Sequence, residues 1–209
     1  MKTKDIILNK DARLVIEKLI ELKKEKKIRN INQLAHEEGR KEFKKIRNYF
    51  KEKKVEEVAW AKDIKIKDFK VRHYRCKKNS PNKVFPAMIF FHGGGWVLGD
   101  IETHDHVCRK LVNNSNYDVI SVDYSLAPES PFPTAVEEAI ETLRWLASEH
   151  KKIKINLEKI LICGDSAGGN LASVLSIYNR DKLKHNIKFQ ILIYPVTSFS
   201  SNYPSKKKI

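Results

Sequence analysis

Cysteine is scarce in this chain: Cys76, Cys108 and Cys163 are the only three in 209 residues. So sparse and odd a set excludes a disulfide framework. With Cys163 in an apolar run and Cys76 beside lysines, it does not read as a zinc site either. Long apolar stretches are also missing. No segment approaches the roughly 18 apolar residues that a bilayer-spanning helix requires. The opening M-K-T-K-D-I-I-L-N-K-D has too short an apolar run for a signal peptide, and acidic residues interrupt it. These absences predict a soluble protein of a reducing cytoplasm.

Arginine and paired aromatics are thin where the charge is greatest. The formal charge is +15 from 41 Lys+Arg and 26 Asp+Glu. Residues 1–80 hold 26 of those cations against 13 acids, and residues 81–209 hold 15 against 13. The excess therefore lies in the first 80 residues. Base-reading surfaces favour arginine and stacking platforms need paired aromatics. A lysine-rich solvated surface accounts for the charge better than a nucleic-acid site.

What is present is periodicity. Leu8, Ala12, Val15, Leu19 and Leu22 recur at steps of four and three, with Ile16 and Ile20 beside them, which predicts an amphipathic helix over Asp5–Leu22. Asn32 is a candidate cap for a second helix carrying Leu34, Phe43, Ile46 and Phe50. Alternation between Asp63 and Lys77 predicts one or two antiparallel strands with one face in water. After Pro86 short apolar runs appear: Ala87–Phe91, Val119–Val122, Lys159–Cys163 and Phe189–Tyr194. Helical periods at His104–Asn114, Thr134–His150 and Asn170–Asn179 separate them. That pattern predicts an α/β fold whose mostly parallel sheet is buried on both faces.

Two strand ends carry chemistry. Lys159–Leu171 reads strand, turn, helix, and Gly164-Asp165-Ser166-Ala167-Gly168 at its turn fits G-x-S-x-G. A serine on so sharp a turn stands clear of the sheet, and the next N–H points where an oxyanion forms. His92-Gly93-Gly94-Gly95-Trp96 directly follows an earlier apolar strand. Three consecutive glycines leave their amides open to a carbonyl oxygen, as in oxyanion loops. His104 and His106 flank Asp105 near Cys108, but residues at i and i+2 of a helix point to different faces, which disfavours a metal site.

H-G-G-G-W, then D-Y-S-L-A-P-E-S-P-F-P-T-A-V-E-E-A from Asp123 to Ala139, then G-D-S-A-G-G-N, closely resemble the hormone-sensitive-lipase-like branch of the α/β-hydrolases, the fold-3 esterases and lipases. The resemblance covers Pro86 to about Thr197. Residues 1–60 are similar to that branch's helical cap, and 61–209 to part of its hydrolase domain. It implies a serine hydrolase acting on a small-molecule carboxylic ester, with no cofactor. Ser166 would be the nucleophile. Gly94, Gly95 and Ala167 would offer oxyanion amides, and His92 and Gly93 would shape their loop. Asp123, Tyr124, Pro128 and Glu129 would be scaffold around the site. Ser125 stands where the family usually has arginine, which predicts a lost ion pair.

In this fold the triad runs serine, acid, histidine along the chain. After Ser166 the 209 residues hold one acid, Asp181, and one histidine, His185. Both precede the Phe189–Tyr194 strand, whereas the family places its acid and base beyond two further strands. The expectation is therefore a C-terminally truncated hydrolase with its last strands absent. Its outer strand would be an apolar edge open to self-association. The competing readings are a catalytically dead fragment or pseudoenzyme whose groove binds ligands, and the basic nucleic-acid module that the charge split disfavours.

Overall fold

The computed structural model describes residues 9–51, 54–78 and 82–198. Helix α1 (Lys10–Lys24) realises the first helical period, although its predicted start at Asp5 and its Leu8 lie outside the described residues. The Asn9 side chain accepts the Asp11 N–H at 2.9 Å and caps it. Leu22 is buried while Val15, Ile16 and Ile20 stay exposed, so most of the apolar stripe lies uncovered.

Asn32 does not cap the second helix. It lies in a 3-10 turn, Ile31–Gln33, and the capping side chain there is Asn30, which accepts the Asn32 N–H. Helix α2 (His36–Tyr49) starts four residues later, with no side-chain cap. A polar side chain two residues before a turn amide competes well with helix initiation.

Strands β1 (Trp60–Ile66) and β2 (Phe69–Arg75) form an antiparallel hairpin. They are followed by β3 (Phe85–Phe91), α3 (Asp105–Asn114), β4 (Asp118–Asp123), α4 (Thr134–Glu149), β5 (Ile155–Asp165), α5 (Ala167–Tyr178) and β6 (Ile187–Ile193). The six strands make one sheet in the order β1-β2-β4-β3-β5-β6. β2 meets β4 antiparallel, while β4-β3, β3-β5 and β5-β6 are parallel. The α/β sheet expected from the apolar runs is therefore present, mixed at its β1 end.

β3 shows why its run is apolar throughout. Ala87, Ile89 and Phe91 face a core shared with α4 and α5, while Met88 and Phe90 face a second core with Cys108 and Val112 of α3. A strand buried on both faces has no position to spend on polarity. Each large apolar side chain so buried contributes about 1.5–3 kcal/mol. At the opposite end of the sheet from the glycine-rich loops, the fully buried Arg75 donates Nε and Nη2 to Asp118, which also receives His73.

β6 is different. It bonds β5 on one side, and among the described residues no strand bonds its other side. Phe189 is 71% exposed and Ile191 40%, so this edge is apolar as well as open.

Candidate active site

β3 and β5 run parallel with Phe91 opposite Gly164, so the loops that follow them leave the sheet side by side. At the end of β5 the chain must reverse within one residue to begin α5. Ser166 does this at φ 53°, ψ −115°, a conformation a non-glycine residue holds only when its surroundings enforce it. The enforcing bonds are visible. The Ser166 N–H donates to Ile193 O at 2.9 Å, and its carbonyl accepts from the N–H groups of Asn170 and Val196, each at 3.1 Å. Asn170 Nδ2 donates in turn to Val196 O at 2.9 Å. Strand and helix approach so closely that a Cβ on Gly164 would lie 2.3 Å from Gly168 O. Ala167 then opens α5, and its N–H belongs to the first turn, where no intrahelical acceptor exists. The helix thus starts three residues before the predicted Asn170.

The loop after β3 is tied to this turn. Gly93 N–H donates to the Asp165 carboxylate at 2.9 Å. Gly94, at φ +136°, turns its carbonyl to accept both Val97 N–H (3.2 Å) and Leu98 N–H (2.8 Å). A side chain there would strike Leu98 O at 2.0 Å. Gly95 follows at φ +64°, with nothing within 4 Å of where a Cβ would be. The structure therefore brings Ser166, Ala167, Gly93, Gly94 and Gly95 to one end of the sheet.

Two histidines pack beneath the loop. His92 is stacked on Tyr124 with ring centres 4.2 Å apart, and on His104 at 5.4 Å. Burial pushes its pKa down to about 4. Its Nδ1 lies 3.0 Å from Gly93 O, and a carbonyl can only accept, so the ring proton sits on Nδ1. Tyr124 donates its hydroxyl to His92 O at 2.7 Å. His104 Nε2 lies 2.6 Å from Arg47 Nη2, and arginine only donates. The His104 proton therefore sits on Nδ1, facing Thr103 Oγ1 at 3.0 Å, whose own hydroxyl donates to Asp100 O. His104 Nε2 also stands 3.5 Å from Asp165 Oδ1, and among the described residues no hydrogen bond joins either imidazole to Ser166.

Asp181 and His185 are far from this end. Asp181 pairs with Arg180 at the surface (2.7 Å), and the backbone of His185 is clamped by Asn179. They precede β6, whose last residue Ile193 is the one that meets Ser166. Seven residues of strand put roughly 20 Å between the two ends.

The profile of a family described as alpha/beta hydrolase fold matches residues 88–209, more than half of the chain. The chain belongs to this family. Within it the hormone-sensitive-lipase-like branch is the one supported. The relatives include esterase LipI of Mycobacterium tuberculosis, 43% identical over 57% of this chain and 38% of its own length. The ethyl acetate hydrolase of Pseudomonas putida is 36% identical over 66% of this chain and 44% of its own. A solved ester-hydrolase from the metagenome of Lake Arreo, complexed with a derivative of bipyridine phosphonate, superposes with a TM-score of 0.83 at 32% identity. That match covers 97% of this chain and 64% of the other. The chain thus spans about two fifths of the length of these two curated relatives.

Ser125, where the family usually has arginine, bonds a carboxylate without a charge of its own. Its N–H and hydroxyl both donate to the Glu138 carboxylate, at 2.6 and 2.7 Å. Asp165, Arg40 and Arg47 were not singled out by sequence reasoning. Asp165 had a signal, since it occupies the variable position of G-x-S-x-G. The two arginines lie in a polar helix with no motif at all.

Proposed function

We propose that the chain carries the nucleophile and oxyanion elements of a serine carboxylic-ester hydrolase that needs no cofactor. Residues 1–60 act as its helical cap and 61–209 as its hydrolase part. The observation that carries this reading is Ser166, held at φ 53° between β5 and α5 beside a glycine loop pinned to Asp165. Ser166 Oγ attacks the carbonyl carbon of a small-molecule ester. The amides of Gly94, Gly95 and Ala167 receive the oxyanion, with His92 and Gly93 shaping the loop. The Oγ–C bond forms as the hydroxyl proton passes to solvent water. The C–O bond of the ester then breaks, and the alkoxide takes a proton back and leaves as the alcohol. Water hydrolyses the resulting acyl-enzyme to the acid and free Ser166.

A second reading, a binding pseudoenzyme, is favoured by one specific observation: among the described residues no hydrogen bond joins His92 or His104 to Ser166, and His185 lies at the far end of β6. A nucleic-acid role is disfavoured because the basic excess of the N-terminal part is mostly lysine, without the arginines and paired aromatics that base reading and stacking use. No helix among the described residues is long and apolar enough to cross a membrane. Self-association through β6 is part of the same proposal.

A fluorophosphonate probe tests the reading. Mass spectrometry of the labelled chain should place the adduct on Ser166, formed slowly if no base assists. A specific adduct on any other serine would overturn the assignment.

A further inference from the structure

We infer that Arg40 is a positioning residue that ties the cap helix α2 to the oxyanion loop, an inference that rests on the ester-hydrolase reading above. Its guanidinium makes four bonds at once. Nε donates to Val97 O at 2.8 Å and Nη2 to Ala127 O at 2.9 Å, while Nη1 and Nη2 meet the two Glu129 oxygens at 2.8 and 2.6 Å. Two of the acceptors are backbone carbonyls in different loops. Those loops are also joined directly, by Ala127 N–H to Trp96 O at 2.8 Å. Arg40 thus closes a ring around the segment that follows the glycines.

The segment requires such a hold. Gly94 and Gly95 stand at φ +136° and +64°, which glycine adopts readily, but Trp96 follows at +59°, a conformation rare for so bulky a side chain. Such backbone persists only where its surroundings over-determine it. On the side of the elbow, Asp165 holds Gly93. On the other side, Val97 is the residue whose N–H bonds Gly94 O and whose carbonyl bonds Arg40. A shift of Val97 therefore disturbs the Gly94–Gly95 peptide, whose carbonyl Val97 and Leu98 bond and whose N–H is that of Gly95. A rigid planar fork can reach Val97 O, Ala127 O and Glu129 together, whereas an ammonium cannot. The competing account is that Arg40 only pairs with Glu129 at the surface.

Hydrogen–deuterium exchange on the 209-residue chain separates the two. Arg40→Ala should speed exchange across residues 93–98 by about tenfold or more, as expected for losing charge-assisted bonds to a strained loop, while β3 and β5 keep their protection. Glu129→Gln spares both carbonyl bonds and should leave the loop nearly as protected as in the wild type. Equal loosening in the two variants, or an unchanged loop in Arg40→Ala, would overturn the inference. Should alanine loosen β3 and β5 as well, Arg40→Lys decides. It keeps the charge beside Glu129 but not the fork, so the loop should still exchange faster, and full protection in it would refute the tether.

Phosphonylation of Ser166 adds a functional readout. In Arg40→Ala the saturating rate should fall by about 10² with the half-saturating probe concentration unchanged, since the oxyanion amides act on the transition state. A fall confined to probe binding would contradict a positioning role. A wild-type chain whose Ser166 takes up no probe would count against the ester-hydrolase reading itself and leave the exchange comparison to decide the tether.

Discussion

Gly168→Ala should abolish cooperative folding. The added Cβ would lie 2.0 Å from Phe91 O, 2.5 Å from Phe91 C and 2.6 Å from His92 O. These are backbone atoms of β3 and its following loop, so no rotamer change relieves the clash. Either α5 lifts off the sheet or β3 shifts within it, and both open the core that Leu171, Ala172 and Leu175 share with Ile89 and Phe91. A cost of about 5 kcal/mol or more is the scale for such a disruption, against about 5–15 kcal/mol of total stability for a domain. Urea titration followed by circular dichroism should show no sigmoidal transition. Gly95→Ala is the control. Nothing stands within 4 Å of its added methyl, and only the left-handed φ of +64° costs it, about 1–2 kcal/mol. If Gly168→Ala melted as the control does, the tight crossing of helix and strand at the elbow would be wrong.

The second expected result is a rate. The purified 209-residue chain should hydrolyse p-nitrophenyl acetate only about 10³–10⁴-fold faster than water, the level that an oxyanion site and binding sustain without a triad. Loss of such a base costs about 10⁶ in turnover relative to an intact triad. Ser166→Ala should accordingly change little. The argument is geometric. His92 is fully buried, its pKa pushed down to about 4, and among the described residues its ring's one hydrogen bond runs to Gly93 O. His104 Nε2 faces Arg47 and Asp165 rather than Ser166. His185 stands at the start of β6, whereas Ser166 meets its end. An unassisted serine hydroxyl is a weak nucleophile at neutral pH. Assaying His104→Ala and His185→Ala beside Ser166→Ala makes the test complete. Brisk turnover that any of the three removes would show that the chain supplies its own base.

Both expectations turn on features whose visibility in the sequence differed. The elbow and the glycine loop could be read directly, because their constraints are local: a strand, a turn with room for small residues only, and a helix within a dozen positions. The parallel strands were legible for a related reason, since Met88 and Phe90 are as apolar as Ile89 and Phe91 only when both faces are covered. Contacts between distant segments were not. Asp165 reaches Gly93 across 72 positions and Arg40 reaches Glu129 across 89, and nothing in either local pattern marks them. Arg75 is the extreme case, a cation with no exposure that pairs with Asp118. Composition assigns such a residue to the surface. The error at Asn32 has another origin. Asn30 and Asn32 are equally good caps by type, and only the turn geometry selects between them.

If a second chain pairs with β6 as proposed, stability becomes a matter of concentration. Among the described residues no strand bonds the outer side of β6, which carries the exposed Phe189 and Ile191, so a second chain could bury what these leave in water. By mass action, pairing that binds the folded form but not the unfolded one raises the melting temperature as the protein is concentrated and lowers it on dilution. A melting temperature independent of concentration over two decades would mean that the edge stays solitary. A dependent one would mean that any stability quoted for this protein belongs to a stated dilution rather than to the fold alone.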